Sequence, residues 1–170
     1  MKNGSIVADA SPLIYLAKAD ELCLLDELFE EVYVPLRVYE ETQVKSYLED
    51  ARRIRETEFL KICRLNNDEE LLIEKIHKEN KIKEADCSVI AFYLSRGLDY
   101  ALFANTDAVK VASRLNVNVI NPFELGRFMF DEGSLEEYAI RLKSAGYLTK
   151  QMSEFLDLVN LNKSKNRSYL

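Results

Sequence analysis

The sequence has no tryptophan, only one histidine and only three cysteines in 170 residues. Cys23, Cys63 and Cys87 are odd in number, widely spaced and set in apolar patterns, so they indicate neither a disulfide framework nor a zinc site. We interpret them as small core residues. His77 stands among charged residues, so the sequence offers no His or Cys constellation that favours a metal site.

Long apolar runs are also missing. The longest unbroken runs are a few residues, as at 101–103, whereas a membrane span needs roughly 20. The first residues lead directly into strand-like sequence, without the charged, apolar and small-residue regions of a signal peptide. We therefore expect a soluble, cytoplasmic protein with no membrane partner.

Positive charge is not in excess, because the formal net charge is −6. A chain with this charge lacks the excess of basic residues found in proteins that bind nucleic acid tightly and non-specifically through phosphate contacts. It does not exclude a metal-dependent nuclease, since carboxylates in such a site add negative charge that bound cations offset.

What the sequence does contain is enough apolar residue, 48%, for a sizeable core in one domain. Strand-like and helix-like patterns alternate along its first 120 residues. This alternation predicts an α/β fold with a mainly parallel sheet flanked by helices. The predicted strands cover 5–8, 32–34, 59–65, 100–103 and 117–120, and the predicted helices that follow them include 36–48, 69–76, 84–94, ending at Gly97, and 106–115.

Only helical patterns follow residue 122. They predict helices at 123–130, 134–145 and 149–161, with Gly146 ending the second. About 40 residues would make a poor independent core, so we expect residues 123–161 to be a helical extension of a single domain over 1–161. Residues 162–170 have little to bury and predict a flexible tail.

Four acidic residues stand where ligands bind in such folds. Asp9 ends the first strand and Asp107 follows the strand at 100–103, so both are expected at the carboxyl edge of the sheet, although ordinary helix caps would use the same residues. Asp86 shares a helix face with Val89 and Ile90, where a carboxylate is costly to desolvate; a solvated helix-start residue is the alternative. Glu41 lies on an apolar stripe too.

The helical pattern does not choose between Glu41 and its neighbour Glu40. If several of these acids converge, like charges a few ångströms apart need cations to stay ionised. Mg²⁺ or Mn²⁺ suits carboxylate ligands, and either ion can orient a phosphodiester and activate water.

The sequence resembles the PIN-domain family, in particular its VapC-like branch, catalogued mainly as a domain of unknown function. The matching segments occur in family order at 6–14, 34–41, 83–91 and 104–107, with further matches at 117–120, 132–135 and 146–148. The resemblance implies a three-layer sandwich with Asp9, Glu41, Asp86 and Asp107 as metal-binding acids and Ser11 as a polar helper. The order Asn105-Thr106-Asp107 leaves the register of the last motif open by up to two residues, and Glu84 is an alternative to Asp86.

By this resemblance we expect a Mg²⁺- or Mn²⁺-dependent endoribonuclease, the toxin of a toxin–antitoxin pair, with RNA as substrate and an antitoxin protein as partner. The resemblance also implies products with a 5′-phosphate and a 3′-hydroxyl. A homodimer is expected as well, because the helices near Tyr15 and Leu25 look apolar beyond one face. The alternative is a non-catalytic PIN-like module that binds a partner protein or RNA without cutting it.

Overall fold

The computed structural model describes residues 1–167, with side chains through Lys165. Strands and helices alternate over most of this range. The strands are β1 (Asn3–Ala8), β2 (Phe29–Pro35), β3 (Leu60–Cys63), β4 (Tyr100–Leu102) and β5 (Val119–Ile120). The helices are α1 (Ala10–Lys18), α2 (Cys23–Leu28), α3 (Leu36–Thr42), α4 (Glu49–Arg55), α5 (Asn67–Asn80), α6 (Glu84–Arg96), α7 (Thr106–Arg114), α8 (Pro122–Met129), α9 (Glu132–Ser144) and α10 (Lys150–Arg167).

The five strands form one parallel sheet in the order β3-β2-β1-β4-β5. Strand β1 is central, with Val7 opposite Tyr33 of β2 and Ala101 of β4. Ile6, Val7 and Ala8 are all fully buried, because helices cover both faces of a parallel sheet. The predicted α/β fold with a mainly parallel central sheet is confirmed.

Helices cover the sheet on both sides. Helix α6 packs against β1, β2 and β4 and also contacts α5, whereas α1 packs with α3, α4, α8 and α9. Since every strand is parallel, all five carboxyl ends lie at one edge of the sheet. Helices α1, α3 and α7 begin at that edge, one or a few residues after β1, β2 and β4.

The predicted helix over 36–48 is wrong at its end, because α3 stops at Thr42. The Thr42 hydroxyl donates to the Tyr39 carbonyl at 2.6 Å, a local bond that competes with continued helix. Val44 and Tyr47, which suggested a continuing apolar stripe, are 78% and 81% exposed. The following helix, α4, was not predicted, because only Ala51 and Ile54 of its seven residues are buried.

The helical C-terminal extension is confirmed as α8, α9 and α10. Gly146 follows α9 with φ +97°, a conformation that favours glycine, as expected of a helix stop. Helix α10 continues past the predicted end at residue 161 to Arg167, so 162–167 of the predicted tail are helical, and 168–170 lie outside the described residues. The assignment of 1–161 to a single domain stays a prediction.

The two residues that suggested a homodimer differ in burial. Leu25 is fully buried, whereas Tyr15 is half-buried and its ring packs against Tyr147 with ring centroids 5.3 Å apart. The apolar character of Leu25 is therefore accounted for within the chain, and the homodimer stays a prediction. In the described part of the chain, no helix combines the length and the apolar character needed to cross a membrane.

Candidate metal centre

Asp9 lies at the carboxyl edge of the sheet, directly after the central strand. Its backbone N–H donates to the Leu102 carbonyl at 3.0 Å, which ties it to the last residue of the neighbouring strand β4. The residue precedes α1 but its side chain makes no capping hydrogen bond to that helix's N2 or N3 amides. Asp9 is only 3% exposed. The alternative interpretation of Asp9 as an ordinary capping residue therefore does not account for its burial.

Asp86 meets Asp9 from the first turn of α6. The fully buried residues Val89 and Ile90, three and four positions later, hold this helix face against the core, and Asp86 is only 3% exposed as a result. The carboxyl groups of Asp86 and Asp9 lie close together, and each shifts the pKa of the other. The structure thus supports the interpretation of Asp86 as a buried acid and not as a solvated helix-start residue.

The environment of Asp9 and Asp86 disfavours the ionised form of both carboxyl groups. Burial raises the pKa of Asp9 well above its ordinary range, and the charges of Asp86 and Glu41 raise it further. Burial also raises the pKa of Asp86, although the bond to Asp9 and the positive charge of Lys83 oppose this shift. Two buried carboxyl groups in contact cannot both ionise at low cost unless a cation balances them.

One oxygen of the pair has no bond of its own. Asp9 Oδ1 is buried and has no hydrogen-bond partner among the described residues. A buried acceptor without a donor is costly, and a hard cation would remove that cost. Carboxylate oxygens are the ligands that Mg²⁺ and Mn²⁺ prefer, so the donor chemistry of this position fits either ion.

Glu41 approaches the pair from α3 on the more open side. Its charge raises the pKa of both Asp9 and Asp86, and its Oε1 lies 3.8 Å from Lys83 Nζ. Its neighbour Glu40 is exposed and lines a separate surface cavity of about 230 Å³ beside Arg64. The structure therefore favours Glu41 over Glu40.

Glu84, the alternative to Asp86, points away from the pair. Its carboxylate accepts from Arg37 at 3.4 Å, and its side chain is 66% exposed. Arg37 also donates to both carboxylate oxygens of Glu70, at 2.8 and 2.6 Å. Glu84 is thus part of a surface ion-pair network between α3, α5 and α6.

Asp107 is not brought against the buried pair. Its side chain is 79% exposed and lies 3.9 Å from the ammonium of Lys110 in the same helix. Asn105 takes the inner place instead, with Nδ2 3.4 Å from Asp86 Oδ2 and Oδ1 accepting from the Asp107 N–H at 2.9 Å. The sequence leaves the register of this motif open by up to two residues, and Asn105 stands two residues before Asp107.

Of the five predicted site residues, Asp9 and Asp86 are in contact and Glu41 acts on both through its charge. Ser11 is half-buried in the first turn of α1, two residues after Asp9. Among the residues that the structure describes, no three His, Cys, Asp or Glu side chains are grouped so as to hold a metal ion. The assignment of these residues as metal ligands stays a prediction.

Comparison with known proteins gives a consistent match over the sheet. The family model described as PIN domain matches residues 5–121. No curated protein sequence matches the chain. Similar solved structures are VapBC2 from Rickettsia felis bound to a DNA fragment from their promoter, a toxin–antitoxin complex from Klebsiella pneumoniae, and FitAcB from Neisseria gonorrhoeae.

The three structural matches cover 69% of this chain and nearly all of the other chain, with shares of 98%, 97% and 98% in the same order. Their TM-scores are 0.53, 0.54 and 0.53, and their sequence identities are 13%, 19% and 17%. At these identities the likeness is one of fold.

Proposed function

Since the chain belongs to the PIN-domain family, we propose that it is a metal-dependent endoribonuclease and the toxin of a toxin–antitoxin pair. One observation carries the proposal. The neighbouring carboxyl groups of Asp9 and Asp86 are buried at the carboxyl edge of the sheet, and Asp9 Oδ1 has no hydrogen-bond donor among the described residues. A bound cation would offset the cost of burying these two carboxyl groups together.

In this proposal Asp9, Asp86 and Glu41 hold Mg²⁺ or Mn²⁺ through carboxylate oxygens. Such an ion, when bound, activates water and neutralises charge on a phosphodiester. Asn105 orients Asp86 through its amide. Asp107 and Ser11 act at the rim, where the Asp107 side chain is 79% exposed.

RNA is the proposed substrate and an antitoxin protein the proposed partner. The support is the family and the fold shared with proteins solved as toxin–antitoxin complexes. We propose a cytoplasmic location and a homodimer as part of the same assignment. The homodimer has no support from Leu25, which is fully buried within the chain, whereas Tyr15 is half-buried.

Cleavage of a labelled single-stranded RNA tests the proposal. We expect cleavage with Mn²⁺, none with excess EDTA, and a loss of about 100-fold or more for Asp9→Asn, because an amide is a poor Mg²⁺ or Mn²⁺ ligand. Asp26→Asn is the control, since Asp26 is exposed and pairs with Lys2 at 3.3 Å. Undiminished cleavage in EDTA, or equal activity of the two variants, would contradict the proposal.

A second candidate function is a non-catalytic PIN-like module that binds a protein or RNA. The exposed position of Asp107 favours it, because the fourth predicted acid does not join the buried pair. Calorimetric titration with Mn²⁺ separates the two functions. A nuclease site should bind Mn²⁺ in the wild type and lose that binding in Asp9→Asn, whereas a degenerate site should bind it weakly and equally in both.

A further inference from the structure

Lys83 is a positive charge at the mouth of the acidic site. It directly precedes α6, three residues before Asp86, and its side chain is 72% exposed. Its ammonium lies 3.8 Å from Glu41 Oε1. Its charge also lowers the pKa of Asp86. The exposure of the side chain and its distance to Glu41 place the ammonium on the solvent side of the site, between α3 and α6.

We propose that Lys83 positions the RNA by binding a backbone phosphate next to the bond that is cut, an inference that rests on the proposed function. In the metal-free chain its ammonium is held by Glu41. With a cation bound at Glu41, Lys83 would be free to turn to the phosphate. Lys83 is a positioning residue, and the acids remain the metal-binding groups.

The charge distribution explains why such a residue is needed. The chain has a net charge of −6 and the site itself is acidic, so RNA phosphates are repelled unless a local cation binds them. Arg37, which is also close to the start of α6, is held by two bonds to Glu70 and one to Glu84. Its guanidinium is therefore engaged in bonds within the chain and is less suited than Lys83 to bind a phosphate.

The Lys83–Glu41 pair, by contrast, is easily given up. An exposed ion pair at nearly 4 Å contributes little to stability, because water screens it and two long side chains must be held in place. A lysine ammonium is a compact charge on a flexible stem and can move between partners. The pair thus keeps the cation near the site without fixing it there.

Lys110 provides a matched control. Its side chain is 70% exposed, and its ammonium lies 3.9 Å from Asp107. Both lysines therefore have a similar exposure and a similarly distant carboxylate partner. Lys110 differs in pairing with an acid of its own helix that is itself exposed to solvent. Lys83→Gln and Lys110→Gln remove the same charge from the molecule.

Steady-state cleavage of a single-stranded RNA by the full chain, at several KCl concentrations with Mn²⁺, tests the inference. For Lys83→Gln we expect KM to rise about tenfold, the effect of losing one charge-assisted phosphate contact, with kcat within about twofold of wild type. The slope of log kcat/KM against log salt should become shallower by about 0.7. Lys110→Gln should resemble wild type in all three quantities.

Mn²⁺ binding without RNA is the second readout. Lys83→Gln should bind Mn²⁺ at least as tightly as wild type, because no ammonium competes for Glu41. Weaker Mn²⁺ binding, a fall in kcat, or equal effects of the two substitutions would overturn the role of Lys83 while leaving the nuclease intact. A wild-type protein without Mn²⁺-dependent cleavage would overturn the proposed function and, with it, the role of Lys83.

Discussion

At the scale of single residues, Asp86 links stability to metal binding. Asp86→Asn keeps the shape of the side chain and removes one negative charge from the buried pair with Asp9. The metal-free protein should become more stable by about 1 kcal/mol, since the two carboxyl groups no longer oppose each other. Cleavage and Mn²⁺ affinity should fall steeply. Thermal melts with and without Mn²⁺, beside the RNA assay, measure both effects.

The opposite directions of these two effects distinguish a metal ligand from a structural acid. If Asp86 only stabilised the start of α6, neutralising it would lower the stability of the protein by a few tenths of a kcal/mol and would leave cleavage unchanged. Asp26→Asn again serves as the control, with no expected change in Mn²⁺ response. A lower metal-free melting temperature with normal cleavage would remove Asp86 from the site.

Glu69 is a buried acid of the opposite kind, because it is fully partnered. Its carboxylate accepts from Arg96 at 2.7 Å and from Ser95 at 2.8 Å, and it completes a capping box with Asn66 at the start of α5. The bond from Arg96 is the main reason that the pKa of Glu69 is lowered to about 2. The interaction thus joins α5 to the end of α6.

A carboxyl group whose pKa is lower in the folded state than in the unfolded state stabilises the fold at any pH above its unfolded pKa. This stabilisation is lost as the pH falls towards the folded-state pKa. Glu69→Gln should therefore cost about 2 kcal/mol at pH 7, a value reduced for the partial exposure of Arg96, and progressively less between pH 4.5 and 2. Urea unfolding at pH 7 and pH 4 measures this change. A cost that does not shrink towards acid pH would contradict the ion-pair explanation.

At the scale of elements, the sequence predicted what depends on local signals. Gly97 ends α6 with φ +61°, as its position after the apolar run indicated. The central strand and the helix carrying Asp86 were found because continuous burial and helical periodicity leave clear patterns. Helix α4 has a narrow buried face and mainly exposed ion pairs, so no such pattern marked it.

The positions of the candidate site residues were likewise predictable only where a local signal marks them. Asp9 and Asp86 follow from strand ends and from a carboxylate on an apolar helix face. The choice of Glu41 over Glu40 depends on how α3 turns towards Asp9, and the inner position of Asn105 depends on where α7 begins. Both are set by packing between distant segments, which the sequence pattern does not record.

The contact between α8 and α9 supports a prediction at this scale. Gly126 in α8 faces the Tyr138 ring, and an added Cβ would lie 2.4 Å from Tyr138 Cδ1. Gly126→Ala should therefore destabilise the protein by about 1–3 kcal/mol, although alanine is otherwise the better helix former. Urea unfolding at pH 7 measures the difference.

Gly133 in α9 is the matched control for this substitution. An added Cβ there would meet only Asp131 Oδ1, at an ordinary 3.8 Å. Gly133→Ala should raise stability by about 0.5–1 kcal/mol through helix propensity alone. If both substitutions stabilised the protein, α8 and α9 would not be packed as closely as the structure shows.

At the scale of the whole molecule, the C-terminal helices share their core with the sheet. The Tyr138 hydroxyl donates to the Pro122 carbonyl at 2.6 Å, and Met152 of α10 is fully buried in the same cluster as Ile6 of β1. Arg141 of α9 reaches back to Glu21 through its Nε at 2.7 Å. The burial of Met152 and the bond from Arg141 connect the extension to the part of the chain that the family model matches.

We therefore predict that the sheet and the extension unfold together as one cooperative unit. Circular dichroism in urea follows the unfolding by two independent signals, because the far-ultraviolet signal reports the helices and the near-ultraviolet signal reports the nine tyrosines without interference from tryptophan. The two transitions should coincide. Arg141→Met should lower the shared midpoint by removing the bond to Glu21, without splitting the transition. Transitions with different midpoints would instead mean that part of the chain unfolds separately and would contradict a single cooperative unit over 1–161.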